Sequence, residues 1–138
     1  MTISPPPQPI PDPDSRGFWE ATAQGRLALQ HCASCGRHQF PALEACRYCG
    51  GPLAWQPVSG RGSIHTFIIQ HHNVSPGFDA RRPYPIALVC PDEAPELRLP
   101  AQIDCPDPSA VRVGARVMAH IVELPGGPYK IPVFRLET

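Results

Sequence analysis

Two Cys-x-x-Cys-Gly units constrain this chain more than any other feature: Cys32-Ala-Ser-Cys35-Gly36 and Cys46-Arg-Tyr-Cys49-Gly50, with ten residues between the inner cysteines. Thiolates at i and i+3 converge on one cation only where the backbone curls into a tight knuckle. The glycine after each second cysteine permits that turn, because it carries no Cβ to obstruct a positive φ. Two knuckles supply four sulfurs, the tetrahedral complement of a structural zinc ion. The same set also holds iron, and an iron-bearing electron carrier would be red and redox-active. Four-sulfur ligation leaves no open position, so such a metal stabilises and does not catalyse. A redox dithiol usually comes as a single pair at a helix start, a setting this chain lacks. His31 and His38 flank the first knuckle but fall outside the ligand spacing.

The 138 residues allow one domain or two very small ones. A unit of roughly 70 residues buries too little apolar surface to be comfortable without a metal, a disulfide or a partner. Lys+Arg and Asp+Glu both number 12, and residues 1–60 carry four of each sign. Nucleic-acid and anionic-lipid binders need a basic excess, so neither partner is expected. No run of about 18 apolar residues is present to span a membrane. The proline-rich N-terminus does not read as a secretory signal. Six cysteines without such a signal favour metal and free thiols, and a cytoplasmic location. Cys90 and Cys105 lack knuckle spacing and read as free thiols.

Twenty prolines argue against long helices and for a small, mainly β protein. Residues 1–14 read as an extended, largely disordered arm, or as a strap over a partner. Ser15 is placed to cap a short helix from about Arg16 to Gln24, ended by Gly25. Its Phe18 and Trp19 must dock, either on the chain's own body or on another subunit. Leu27–Gln30 and Gln39–Phe40 read as short extended segments of a metal module covering residues 15–60, and 50–60 as a turn-rich connection containing Trp55. From Gly62 the pattern alternates with period two through Gln70. Further strands are expected at Tyr84–Cys90, Leu97–Ile103, Arg116–Leu124 and Lys130–Leu136, where Pro132 marks an edge or bulge. Five short strands over residues 61–138 suit an OB-type barrel, with a five-stranded sandwich as the alternative.

Signatures of catalysis are missing: the chain has no nucleophile elbow, Walker loop or dinucleotide fingerprint. His71-His72 follow the first barrel strand, as exposed polar residues or as contacts to a partner. Arg81 and Arg82 suit a phosphate or carboxylate but lack a glycine-rich cradle. Asp92, Glu93 and Glu96 read as solvated surface.

The ordered combination of these pieces resembles the OB-fold, acyl-CoA-associated zinc-ribbon family. It runs from Phe18-Trp19-Glu20 and Gly25-Arg26-Leu27 through the two knuckles, with Phe40-Pro41 between them, to Gly60-Arg61-Gly62-Ser63-Ile64. It continues in Pro85-Ile86-Ala87-Leu88-Val89, Val113-Gly114-Ala115-Arg116-Val117 and Pro132-Val133-Phe134-Arg135. One departure is Glu93-Ala94-Pro95, where relatives often have an acidic residue and glycine. The resemblance implies a rubredoxin-like zinc ribbon joined to an OB barrel. It also implies a non-catalytic role beside a thiolase, a thiolase-like aldolase acting on steroid side chains, or an acyl-CoA hydratase, stabilising that enzyme and helping place the CoA thioester. On this reading Phe18, Trp19, His71 and His72 are candidates for partner contact, and Arg81 and Arg82 for CoA. The competing reading is a single-stranded nucleic-acid-binding module, which would need a basic groove with stacking aromatics.

Overall fold

A computed structural model describes residues 5–72, 77 and 83–137. Helix α1 (Arg16–Ala23) ends where Gly25 takes φ 78°, its N–H and that of Arg26 closing on Thr22 and Ala21 carbonyls. A left-handed glycine just past a helix satisfies the last carbonyls in this way. The expected cap differs. The Ser15 hydroxyl accepts from the Asp12 amide and makes no bond to the helix N-terminus, because Asp12 and Ser15 bond reciprocally.

Among the described residues, eight strands form two sheets. The first has order β2-β1-β3, from β1 (Ala28–Cys32), β2 (His38–Gln39) and β3 (Leu53–Pro57). Strand β3 lies where a turn-rich connection was expected. It pairs with β1 over its whole length, from Ala28↔Pro57 to Cys32↔Leu53, and this non-local ladder overrides the turn propensity of Pro57 and of the flanking Gly50, Gly51, Pro52 and Gly60.

The second sheet has order β6-β5-β4-β7-β8 and comprises β4 (Arg61–Gln70), β5 (Tyr84–Pro91), β6 (Leu99–Gln102), β7 (Arg116–Glu123) and β8 (Lys130–Leu136). A parallel bridge Ile103↔Phe134, with Asp104 N–H donating to the Phe134 carbonyl at 2.8 Å, joins the β6 end to β8 and closes the sheet into a barrel. That closure decides for the OB type over a sandwich. Pro132 sits on β8, opposite Ile121 of β7, at the end of the hydrogen-bonded strand order, where a missing N–H is tolerated.

The alternation expected along β4 breaks at His65, an extra residue between the pairs Ile64↔Val89 and Thr66↔Leu88. One inserted residue reverses which side chains face inward. Ile64 is therefore buried, Phe67 packs against the barrel core, and Ile68 is 58% exposed.

Ile64, Val89, Ile103, Val111 and Val117 form the centre of the barrel core. A second cluster joins Leu29 of the ribbon to Ala94, Leu97 and Leu99, with Phe40 and Val58 packed on it. The ribbon and barrel thus share apolar contact. The acidic stretch read as solvated surface contributes to this junction. Glu93 accepts from the Ser59 amide at 2.5 Å, and Asp92 takes two bonds from Arg116 at 2.5 and 2.8 Å. Both carboxylates are largely exposed, so their value is orientation more than stability.

Helix α1 lies across both units, touching β1, β3 and β8. Phe18 packs on the barrel core, Thr22 is buried, and Trp19 stacks edge-on against Phe18 and Tyr129 with centroids 4.9 and 5.5 Å away. The described part of the N-terminal arm follows the barrel surface: Pro6 is buried, and Gln8 Nε2 donates to the Pro125 carbonyl at 2.9 Å. No helix among the described residues is long and apolar enough to cross a membrane.

Candidate metal centre

The two cysteine units fold as copies of one turn. Gly36 N–H donates to the Cys32 carbonyl and Gly50 N–H to the Cys46 carbonyl, both at 2.8 Å. Cys32 N–H closes on Arg37 and Cys46 N–H on Gly51. Gly36 and Gly50 take φ 77° and 74°, the left-handed conformation their position demanded. Strand β1 delivers Cys32 and anchors the first knuckle. The second knuckle belongs to no strand and needs another support.

That support is a pair of buried glutamines that sequence reasoning missed. Gln30 on β1 and Gln39 on β2 face each other in register, and Gln39 Nε2 donates to Gln30 Oε1 at 3.1 Å. Gln30 also clasps Leu43 through both its N–H and carbonyl, at 2.9 and 2.8 Å. Gln39 Oε1 accepts from the Arg47 amide at 3.0 Å, inside the second knuckle. Two side-chain amides therefore bond the backbone of a loop that has no ladder of its own. Their alternation with Leu29 on a short strand was the available signal, but it reads equally as a solvated face. Gln39→Leu is expected to leave the part-buried Arg47 N–H without its protein acceptor, at about 1 kcal/mol. Its melting temperature should fall and a chelator should strip its metal faster. A variant matching the parent in both would show that the glutamines do not brace the knuckle.

The four Sγ atoms lie within 4.8 Å of one another, Cys32–Cys49 at 3.5 Å and Cys35–Cys46 at 3.6 Å. Sulfurs at the corners of a tetrahedron with Zn–S bonds of about 2.3 Å sit about 3.8 Å apart. The donor set therefore fits a tetrahedral thiolate-bound ion by distance and by chemistry. Cys32 and Cys46 are buried, Cys35 and Cys49 exposed. The Cys35 backbone amide draws Cys32 down to about 6. Burial raises Cys46, but the amides of Cys49 and Tyr48 outweigh it and the net direction is downward. Although the Gly51 amide lowers Cys49, the Cys32 sulfur and burial push it up to about 12, and Cys35 is also raised despite the Arg37 amide. At neutral pH without metal, these last two keep their protons. Metal uptake displaces them, so affinity falls as the pH drops.

His31 and His38 stay outside this group. Their rings stack at 4.7 Å, and the His38 Nε2 meets Gln56 Oε1 at 2.7 Å. Arg37 lies over the Tyr48 ring at 4.4 Å, bridging the knuckle tips. Cys90 and Cys105 are free and half-buried, the former accepting from Arg98 Nη1 at 3.2 Å, the latter donating to the Asp107 carbonyl at 3.0 Å. His71 and His72 follow β4 with exposed side chains. Arg81 and Arg82 lie outside the described residues. Phe18 and Trp19 are half-buried against the chain's own barrel.

Residues 19–55 match the rubredoxin-like zinc ribbon domain of ChsH2, and residues 55–122 match the ChsH2 C-terminal OB-fold domain. A "Probable enoyl-CoA hydratase alpha subunit" of Thermomonospora curvata is 31% identical over 131 residues, which are 94% of this chain and 39% of that protein. The 3-oxo-4,17-pregnadiene-20-carboxyl-CoA hydratase alpha subunit of Mycobacterium tuberculosis is 26% identical over 118 residues, 86% of this chain and 37% of that one. The chain thus spans well under half the length of these curated relatives. Among solved structures, a chain of the "Ltp2-ChsH2(DUF35) aldolase" superposes with a TM-score of 0.83 at 29% identity, covering 94% of this chain and 98% of that one. A DUF35-family protein from Sulfolobus solfataricus shares the fold, with a TM-score of 0.62 at 20% identity.

Proposed function

Because the chain belongs to the ChsH2 (DUF35) family of zinc ribbons joined to an OB-fold domain, we propose that it is a non-catalytic, zinc-bearing subunit of an acyl-CoA enzyme complex. The partner we favour is a thiolase-like aldolase. The observation that carries this choice is the end-to-end likeness to the chain from the Ltp2 aldolase, matched over 98% of its length. The likeness to two hydratase alpha subunits makes a hydratase partner the alternative.

Zinc fits the four-sulfur group, and when bound it closes a coordination sphere with no site for substrate. The ribbon it stabilises holds β1 and β3 beneath α1, and so presents one side of the helix to a partner. The solvent-facing parts of Phe18 and Trp19, with His71 and His72 after β4, are the residues we assign to partner contact. Arg81 and Arg82, between β4 and β5, carry guanidinium groups suited to CoA phosphates. The nucleophile, acid and base of the reaction belong to the partner. We divide the chain after Gly60, since β3 pairs within the ribbon sheet and β4 begins the barrel at Arg61. A reducing cytoplasm would keep the six thiols available.

A nucleic-acid role would require stacking aromatics and cations on the barrel face. The β4–β5 pairs there set Ile68 opposite Ile86 and Thr66 opposite Leu88, which suits neither bases nor phosphates.

Purification from the native source tests the reading. The expected result is co-elution with a thiolase-fold protein, and acyl-CoA cleavage that requires both chains. Elution of the folded, zinc-loaded chain alone under every condition would overturn it, as would a partner with neither thiolase nor hydratase fold.

A further inference from the structure

The junction of helix, ribbon and barrel leaves an apolar hollow that is partly open to solvent. A cavity of about 350 Å³ lies there, walled by Phe18 and Trp19 from the helix, Phe40 and Trp55 from the ribbon, and Leu99 and Phe134 from the barrel. An apolar cavity of about 150 Å³ holds one benzene ring, so this one has room for more than two. Ligand pockets typically begin at about 300 Å³, are dominated by aromatic and aliphatic walls, and occur between domains.

The polar groups of the wall define what would fit. Gln30 and Gln39 reach it, but their amides are committed to the loop before the second knuckle and to each other. Asp12 and Ser15 are likewise tied to one another by three hydrogen bonds of 2.7, 3.2 and 3.4 Å. Among the described residues no Lys, Arg or His lines the cavity, and the one ionisable group in its wall is the exposed Asp12 carboxylate. Hydrogen bonds from Ser15 hold that carboxyl below its ordinary range, so it is anionic at neutral pH. An anion would meet no counter-charge and one repulsion.

We propose that this cavity is a binding site for a neutral, apolar small molecule of medium-chain size, held by aromatic and aliphatic contact. It takes the ligand's hydrocarbon portion and leaves any charged portion outside, away from Asp12. The inference does not depend on the partner enzyme and is tested on the chain by itself.

The chain contains two tryptophans, and both stand in the cavity wall, so their fluorescence reports occupancy directly. Titrating the full zinc-loaded chain with 1-decanol is expected to give a saturable change in emission and a matching rise in melting temperature. Decanoate is expected to bind about tenfold more weakly or worse, because entering the apolar wall strips water from its carboxylate and no cation of the described lining replaces it. Ala42→Leu adds bulk at a half-buried wall position, and is expected to weaken the decanol response at least about tenfold while keeping the fold. Absence of any saturable response in the folded parent overturns the proposal without reference to a variant. Decanoate binding as tightly as decanol overturns the neutral-ligand assignment. An Ala42→Leu chain that remains folded and binds decanol as the parent does places the site elsewhere and overturns the location.

Discussion

Cys46→Ser is expected to hold no stoichiometric zinc and to melt lower than the parent by on the order of 10 °C or more. Cys46 is 4% exposed, its Sγ stands 3.6 Å from Cys35, and its amide and carbonyl both close the second knuckle. A hydroxyl there keeps the turn but supplies a poor ligand and removes one corner of the tetrahedron. The ribbon has little else to rely on. Its first knuckle hangs from a five-residue strand and its second from two glutamine side chains. Mass spectrometry under non-denaturing conditions and thermal melting by circular dichroism read both effects. Cys90→Ser is the control, since that half-buried thiol contacts only the exposed Arg98 guanidinium among its described hydrogen bonds. It should match the parent in metal and in melting. A Cys46→Ser chain with one zinc and the parent's melting temperature would show that the four-thiolate assignment is wrong.

Gly17→Ala is expected to destabilise the chain by about 2 kcal/mol, against the usual sign of a glycine-to-alanine change in a helix. By propensity alone, alanine gains about 1 kcal/mol at a helix interior. The contact decides otherwise. A Cβ at Gly17 would lie 2.1 Å from Trp55 Cδ1 and Nε1 and 2.5 Å from Cε2. These are atoms of a rigid indole on β3 rather than the free end of a flexible chain, so the helix must lift. Lifting it also withdraws Phe18 from the barrel core and separates Trp19 from Tyr129. Denaturant titration reads the loss, and limited proteolysis should cut the first 24 residues faster. If Gly17→Ala is as stable as the parent or more so, α1 does not rest on Trp55 as described.

Much of the metal centre was legible in the chain because its constraints are covalent and local. Cysteine spacing confines four sulfurs to two knuckles, and glycine after each pair meets a backbone requirement that no other residue meets so easily. The β8 boundaries, Lys130–Leu136, agree with the run ended by the C-terminal residues, and Pro132 falls on the strand at the end of the sheet order. The helix was legible in place but not in its cap, because Ser15 had two bonding choices and Asp12 decided between them. Strand β3 was missed because its only ladder is with residues more than 20 positions earlier, a partner that no local window contains. The glutamine brace escaped for the same reason, since polar residues on a short strand look solvated until a loop folds over them.

The amino-acid sequence by itself determined that two cysteine knuckles form and that β structure dominates. Those outcomes follow from chain stereochemistry and from which side chains are present. Tertiary structure alone decided that the sheet closes into a barrel, that a bulge at His65 turns Ile68 outward, and that helix, ribbon and barrel meet around an aromatic cavity. Each of these depends on how surfaces distant in the chain pack together, and packing is a property of their joint shape that spacing along the chain does not encode.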